Sequence, residues 1–288
     1  MTSKTSLSAV LFGLIALLAA GPAAAFDLEF VAASPQIYNK PHDLVLAPDG
    51  RHLYVADNDN DRIAVLDPET LELLGTFGDS EVSAPHDAAF DAEGRLLVAD
   101  TGNSRIAIYA VAGVEGRLVG ELSGAIRRPE GVAVHPNGRV YASGARSDSV
   151  EAFEDGRSLG EAKGFSSPHD LAVAADGRLW LADAGNDRLV ILSPELQVLG
   201  AVEGPDYGFN GPRYLDFDAA GRLYVADKYA NQIKVLATDG RLILTLGSGR
   251  GALGPGAFDR PEGVAIRGAD IWFSDTYNDR IVRYRIVE

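Results

Sequence analysis

Six positions in this 288-residue chain carry side chains that could act together, and each follows a proline: His42, His86, Glu130, His169, Arg213 and Glu262. Three of the chain's five histidines fall on them. The other two, His52 and His135, lie in or beside turns. Neutral imidazoles and carboxylates a few ångström apart are ligands that suit Zn²⁺. Asp43, Asp87 and Asp170 follow the three histidines directly. Carboxylates there could orient the imidazoles or coordinate a hard cation such as Ca²⁺. The other reading is a hydrogen-bonded polar ring around water with no metal, and the residues alone leave both open.

What would bring these residues together is a repeat. Pro41-His42-Asp43-Leu44-Val45-Leu46 recurs at Pro85, Pro129, Pro168, Pro212 and Pro261, at spacings of 44, 44, 39, 44 and 49 residues. After each proline comes an apolar strand, then a tight turn such as Pro48-Asp49-Gly50 or Asp176-Gly177. A second strand follows, as in Leu53-Tyr54-Val55-Ala56-Asp57 or Leu223-Tyr224-Val225-Ala226-Asp227. A polar turn leads to a third strand and then to a more variable fourth. Six copies of four antiparallel strands specify an all-β, six-bladed β-propeller. The sixth copy runs out after its third strand, so Leu28-Glu29-Phe30-Val31-Ala32 is expected to supply the outer strand of the last blade and close the ring.

In such a ring the first strand of each blade lines the central channel, and the six post-proline residues converge on one mouth. Alternate blades face the axis at about 120° to one another in a sixfold ring. Blades two, four and six would then offer His86, His169 and Glu262 as a two-histidine, one-carboxylate zinc set, with His42 also available. His42, Glu130 and Arg213 form the other alternate set, a substrate-binding rim. Glu130, Asp43, Asp87 and Asp170 are expected along the channel rim.

Other recurring residues read as architecture. The Asp closing strand two recurs with an Arg five residues on: Asp57 with Arg62, Asp100 with Arg105, Asp183 with Arg188, Asp275 with Arg280. Asn60, Asn103, Asn186 and Asn278 lie between them. Side chains of this kind bond nearby backbone and tolerate left-handed geometry. Copy three breaks the rule with Gly144, Ser147 and Ser149, and copy five has Gln232 in place of Arg. Copy three is expected to be the least regular blade.

The motifs Pro-x-Gly-Val-Ala-Val, Gly-Arg-Leu-Tyr-Val-Ala-Asp and Asn-x-Arg-Ile resemble NHL repeats over essentially all of residues 26–288. That resemblance implies a propeller that serves as a binding scaffold or, in fewer cases, as an enzyme. More narrowly, the arrangement resembles the peptidylglycine amidating lyases. Their three Pro-His motifs place zinc ligands on alternate blades, with calcium in the channel and a tyrosine and arginines near the metal. Pro41-His42, Pro85-His86 and Pro168-His169 match that motif, but on blades one, two and four. The resemblance then implies Glu262 in place of one histidine, with Tyr229 or Tyr277 and Arg213 or Arg146 near the site. Tyr229 and Arg213 are the catalytic candidates. No Glu and Asn pattern of a lactonase-type propeller is found.

The remaining features bound the setting. Lys4, the apolar run Leu7–Ala20 and Ala23-Ala24-Ala25 before Phe26 have the layout of a cleavable secretory leader over 1–25. The expected domain is then 26–288, periplasmic or secreted, with no membrane attachment once the leader is removed. Cysteine is absent, so the 46% hydrophobic residues must build the stabilising core. A net charge of −15 argues against nucleic acid, whose phosphates require displaced counterions and clustered Lys and Arg. Expected partners are a peptide, protein or glycan on the loop face of a monomer. Two functions stay open: a binding scaffold, or a metal-dependent lyase or hydrolase in which a metal-bound water and His42 or Tyr229 move protons.

Overall fold

The computed structural model describes residues 26–288. The expected leader, 1–25, lies outside the described residues. The described residues form six four-stranded antiparallel sheets, each a blade, with a short innermost strand after each proline. The first five blades are built from consecutive strands. The sixth reads Val264–Arg267, Asp270–Asp275, Arg280–Val287 and then Asp27–Ala33 at the outer edge. The N-terminal strand pairs antiparallel with the C-terminal one, from Asp27 opposite Val287 to Ala33 opposite Val282. Phe30 packs edge-on against Tyr284 at 5.5 Å between ring centroids. The ring is therefore closed by the strand expected to close it.

Second strands such as Leu53–Asp57 and Leu179–Asp183 are buried along their whole length, because each blade is covered on both faces. The apolar clusters accordingly lie between blades: Tyr54 and Val65 of blade one pack with Leu96, Val98 and Tyr109 of blade two. Burying such surface supplies about 25 cal/mol per Å², the main favourable term of the fold.

The repeated turn fixes where each inner strand begins. Asp57, Asp100, Asp183 and Asp275 hold Arg62, Arg105, Arg188 and Arg280 at 2.7–2.8 Å. Each also accepts the amide of the residue two before its blade's proline: Asn39, Ser83, Ser166 or Asp259. The next clip crosses blades. Asp61, Asp148, Asp187, Asn231 and Asp279 sit in left-handed backbone at the turn's end and accept the amide just before the following blade's proline. That pre-proline residue has positive φ in all six blades, from Ser167 at 44° to Gly211 at 68°. Backbone in this region is costly for a side-chain-bearing residue and persists only where its surroundings hold it.

Two departures from the repeat are repaired by residues that the pattern does not point to. In blade five Lys234 takes the arginine's role and reaches Asp227 at 2.5 Å. In blade three Glu151 accepts the Ile126 amide at 3.0 Å, and Ser147 accepts that of Arg127. Blade three keeps four full strands; the shortest inner strand is Leu171–Val173 in blade four. The expected irregularity of blade three is thus confined to its turn, because Ser147 and Glu151 accept the Arg127 and Ile126 amides in place of the missing aspartate.

Candidate functional site

The inner strands carry register shifts where the proline motif sits: between Pro41 and Leu44, Pro85 and Ala88, Pro129 and Gly131, and Pro212 and Leu215. Such bulges release side chains from the ladder and re-aim them. His42, His86, Glu130, His169, Arg213 and Glu262 all line one mouth of the channel, a cavity of about 500 Å³. Arg128, Arg146 and Lys228 complete its wall.

The pairing inside this mouth differs from the alternate-blade set. Glu130 stands between two histidines, with His86 Nε2 and His169 Nε2 each 3.1 Å from Oε2. Its other oxygen accepts from Arg128 Nη2 at 3.2 Å. His86 Nδ1 lies 3.0 Å from Asn58 Nδ2 and 2.8 Å from Ala84 O, while its Nε2 faces Glu130. Arg213 packs against His169 and donates to the Tyr229 hydroxyl at 3.2 Å. Glu262 belongs to a second group: Oε1 is 2.6 Å from Lys228 Nζ and Oε2 is 3.3 Å from His42 Nδ1. The His42 and His86 rings meet edge-on at 4.3 Å.

Burial, with His86 and Lys228 beside it, holds His42 well below the usual imidazole range. Burial and the Arg213 guanidinium lower His169 as well. Burial works against a charge on Glu130, but His86 and His169 overcome it and hold its carboxyl below the usual range. The mouth therefore presents an ionised Glu130 and neutral His42 and His169, ringed by four cationic side chains.

The expected zinc set is not assembled. Glu262 is paired with Lys228 and His42, away from His86 and His169, and Arg213 covers the His169 ring. Among the described residues no three His, Asp or Glu groups are arranged to hold a metal ion.

Asp43, Asp87 and Asp170 do not face this mouth. They line the opposite end of the channel, a second cavity of about 310 Å³. They do not orient the imidazoles; the neighbours of His86 and His169 Nδ1 are Ala84 O and Ser167 O. Asp87 instead accepts the amides of Ala88 and Val132, and Asp170 those of Leu171 and Leu215, tying each inner strand to the next. Between the two ends Tyr214 crosses the channel, its hydroxyl 3.1 Å from His86 O and 3.2 Å from Glu130 O. Tyr214 occupies the position of these aspartates in its own copy, a substitution visible in the sequence. Gly131 and Gly263 hold it in theirs, because a Cβ there would come within 2.5 Å of the carbonyl oxygens of His169 and His42.

The aspartates touch one another, Asp87 between Asp43 and Asp170. Burial, with Asp87 and Asp170 close by, pushes the Asp43 carboxyl well above the usual carboxylate range. Burial and Asp87 do the same to Asp170. The folded state thus keeps protons that the unfolded chain releases, and stability falls as pH rises through the raised range. Asp43→Asn keeps an acceptor for the Leu44 amide and gains a donor toward Asp87. Denaturant melts should show this variant's advantage over the wild type larger at about pH 8 than at about pH 4.5. An advantage that shrinks with rising pH would contradict the shared-proton arrangement.

Comparison with known proteins agrees with the fold. The NHL repeat family matches residues 38–66, 83–109 and 165–192, which are the three Pro-His-Asp blades. No curated protein matches the sequence. Among solved structures, virginiamycin B lyase from Staphylococcus aureus superposes with a TM-score of 0.65 at 13% identity, covering 91% of this chain and 100% of that one. A gluconolactonase from Xanthomonas campestris gives 0.69 at 16%, covering 87% of each chain. An auxiliary nutrient binding protein from Bacteroides ovatus gives 0.69 at 17%, covering 87% of this chain and 70% of that one. At these identities the likeness is one of fold.

Proposed function

We propose that this six-bladed propeller of NHL repeats is an exported binding protein whose channel mouth takes an anionic group of a small ligand or peptide. The observation that carries this is the wall of that mouth. Arg128, Arg146, Arg213 and Lys228 surround two buried carboxylates in a chain whose net charge is −15. Those carboxylates already have partners, so the exposed parts of Arg128 and Arg146 remain to meet an incoming anion. Tyr229, 48% exposed beside Arg213, offers a ring and a hydroxyl at the edge. A carboxylate held by arginine forks gains charge-assisted hydrogen bonds of about 1.5–3 kcal/mol each. The nutrient binding protein among the similar folds is compatible with this reading, and the N-terminal leader layout supports export.

N-acetyl-triglycine and its amide serve as probes in calorimetry. The acid should bind and the amide should not. Arg128→Ala with Arg146→Ala should weaken the acid at least about tenfold, as the loss of one such bond requires. Equal binding of acid and amide would remove the proposal.

One feature favours a second reading, a lyase or hydrolase acting on the bound molecule. Ionised Glu130 between two imidazoles would stabilise the imidazolium formed if His86 or His169 took a proton from the bound molecule. Turnover lost in Glu130→Gln with binding retained would support it; turnover retained would contradict it.

A further inference from the structure

A second surface stands apart from the mouth, between blades two and three. The residue three before the end of the second strand is aromatic in five blades: Tyr54, Tyr141, Trp180, Tyr224 and Trp272. Three of these rings bridge to the following blade by donating to a carbonyl of its outer hairpin turn. Tyr54 reaches Gly113 O at 2.7 Å, Tyr141 reaches Pro194 O at 2.8 Å and Trp272 reaches Pro68 O at 2.8 Å. Trp180 packs edge-on against Phe217 of the next blade. Blade two has Leu97 at this position, and leucine can neither fill the space nor donate. The matching turn of blade three, Asp155-Gly156, therefore receives no ring from blade two.

The missing ring leaves a groove of about 790 Å³. Its floor is apolar, with Leu97, Ile108, Val140 and Phe153. Its rim is acidic: Asp91, Glu93, Glu121 and Asp155 line it against Arg95 alone. Arg95 already pairs with Asp91 and Glu93, and Arg105 pairs with Glu121, while Asp155 is exposed and lies in no ion pair among the described residues. We infer that this groove docks a partner polypeptide presenting a tryptophan or tyrosine flanked by basic residues. The incoming ring takes the place that Tyr54 and Tyr141 fill elsewhere, its N–H or O–H directed at the Asp155-Gly156 turn. The flanking cations meet Asp155 and the remaining negative charge of that rim. Aromatic anchors of this kind seated in a pocket carry much of the energy at such interfaces.

The probe is acetyl-Lys-Trp-Lys-amide titrated into the full protein by calorimetry. Acetyl-Lys-Ala-Lys-amide and acetyl-Glu-Trp-Glu-amide are the controls. The first should bind at one site and both controls at least tenfold more weakly. Leu97→Trp and, as a smaller change, Leu97→Tyr should fill the groove from within, cutting binding at least tenfold without lowering the melting temperature. Asp155→Lys leaves the floor untouched and should weaken the basic probe to the same degree. Failure of acetyl-Lys-Trp-Lys-amide to bind, or affinity unchanged in any folded variant of this set, would overturn the inference. N-acetyl-triglycine binding at the mouth should survive all of these changes, so the two sites are tested separately.

Discussion

Deleting residues 26–33 should cost the fold about 5 kcal/mol or more, most of the stability a domain of this size possesses. The strand Asp27–Ala33 is the outer member of blade six and joins the two ends of the chain. Leu28 is buried, and Phe26 and Phe30 pack against the same cluster as Tyr224 and Tyr284. Each apolar side chain contributes roughly 1.5–3 kcal/mol by its burial. Removal also leaves Arg280–Val287 as an unpaired edge, a template for association. Thermal melts of the protein with and without this segment, begun at Phe26 or after residue 33, provide the check. Unchanged melting temperatures would mean that the strand is a dispensable arm.

The second large effect is expected at Lys228. Glu262 is fully buried, and its two oxygens face only Lys228 and His42. Burial also keeps His42 well below the usual imidazole range, so near neutral pH it offers no compensating charge. Lys228→Met therefore leaves a buried carboxylate without a cation, a situation that costs about 3–5 kcal/mol. Adding Glu262→Gln removes the stranded charge and should recover most of that loss. Denaturant unfolding of both single variants and the double variant gives the coupling directly. If the double variant is no more stable than Lys228→Met alone, the ion pair is not what holds that side of the mouth.

Both results concern features that the sequence exposes unequally. The repeat was legible because turn chemistry and strand alternation recur in every copy, and closure by residues 28–32 followed from a missing strand. The convergence of the six post-proline residues also followed from the repeat. Their pairing did not, because it depends on where long side chains reach. Lys228 enters from a turn and claims Glu262; Glu130 of blade three, rather than a residue of an alternate blade, joins His86 to His169. The bulge after the proline re-aims these neighbours, so that His42 lines one mouth and Asp43 the other end. Tyr214, Lys234 and Glu151 are found only by asking what each irregular copy must repair.

We propose that the ligand's anionic group sits under Arg128 and Arg146 at the mouth that His42, His86 and His169 line. The protein supplies its own controls, since His52 and His135 lie outside that mouth. Imidazole nitrogen and carbon-bound proton resonances of all five histidines, followed by NMR during titration with N-acetyl-triglycine, test the claim directly. Saturable shifts are expected at His42, His86 and His169, with His52 and His135 unmoved. Shifts confined to His52 or His135, or none at saturating peptide, would contradict it.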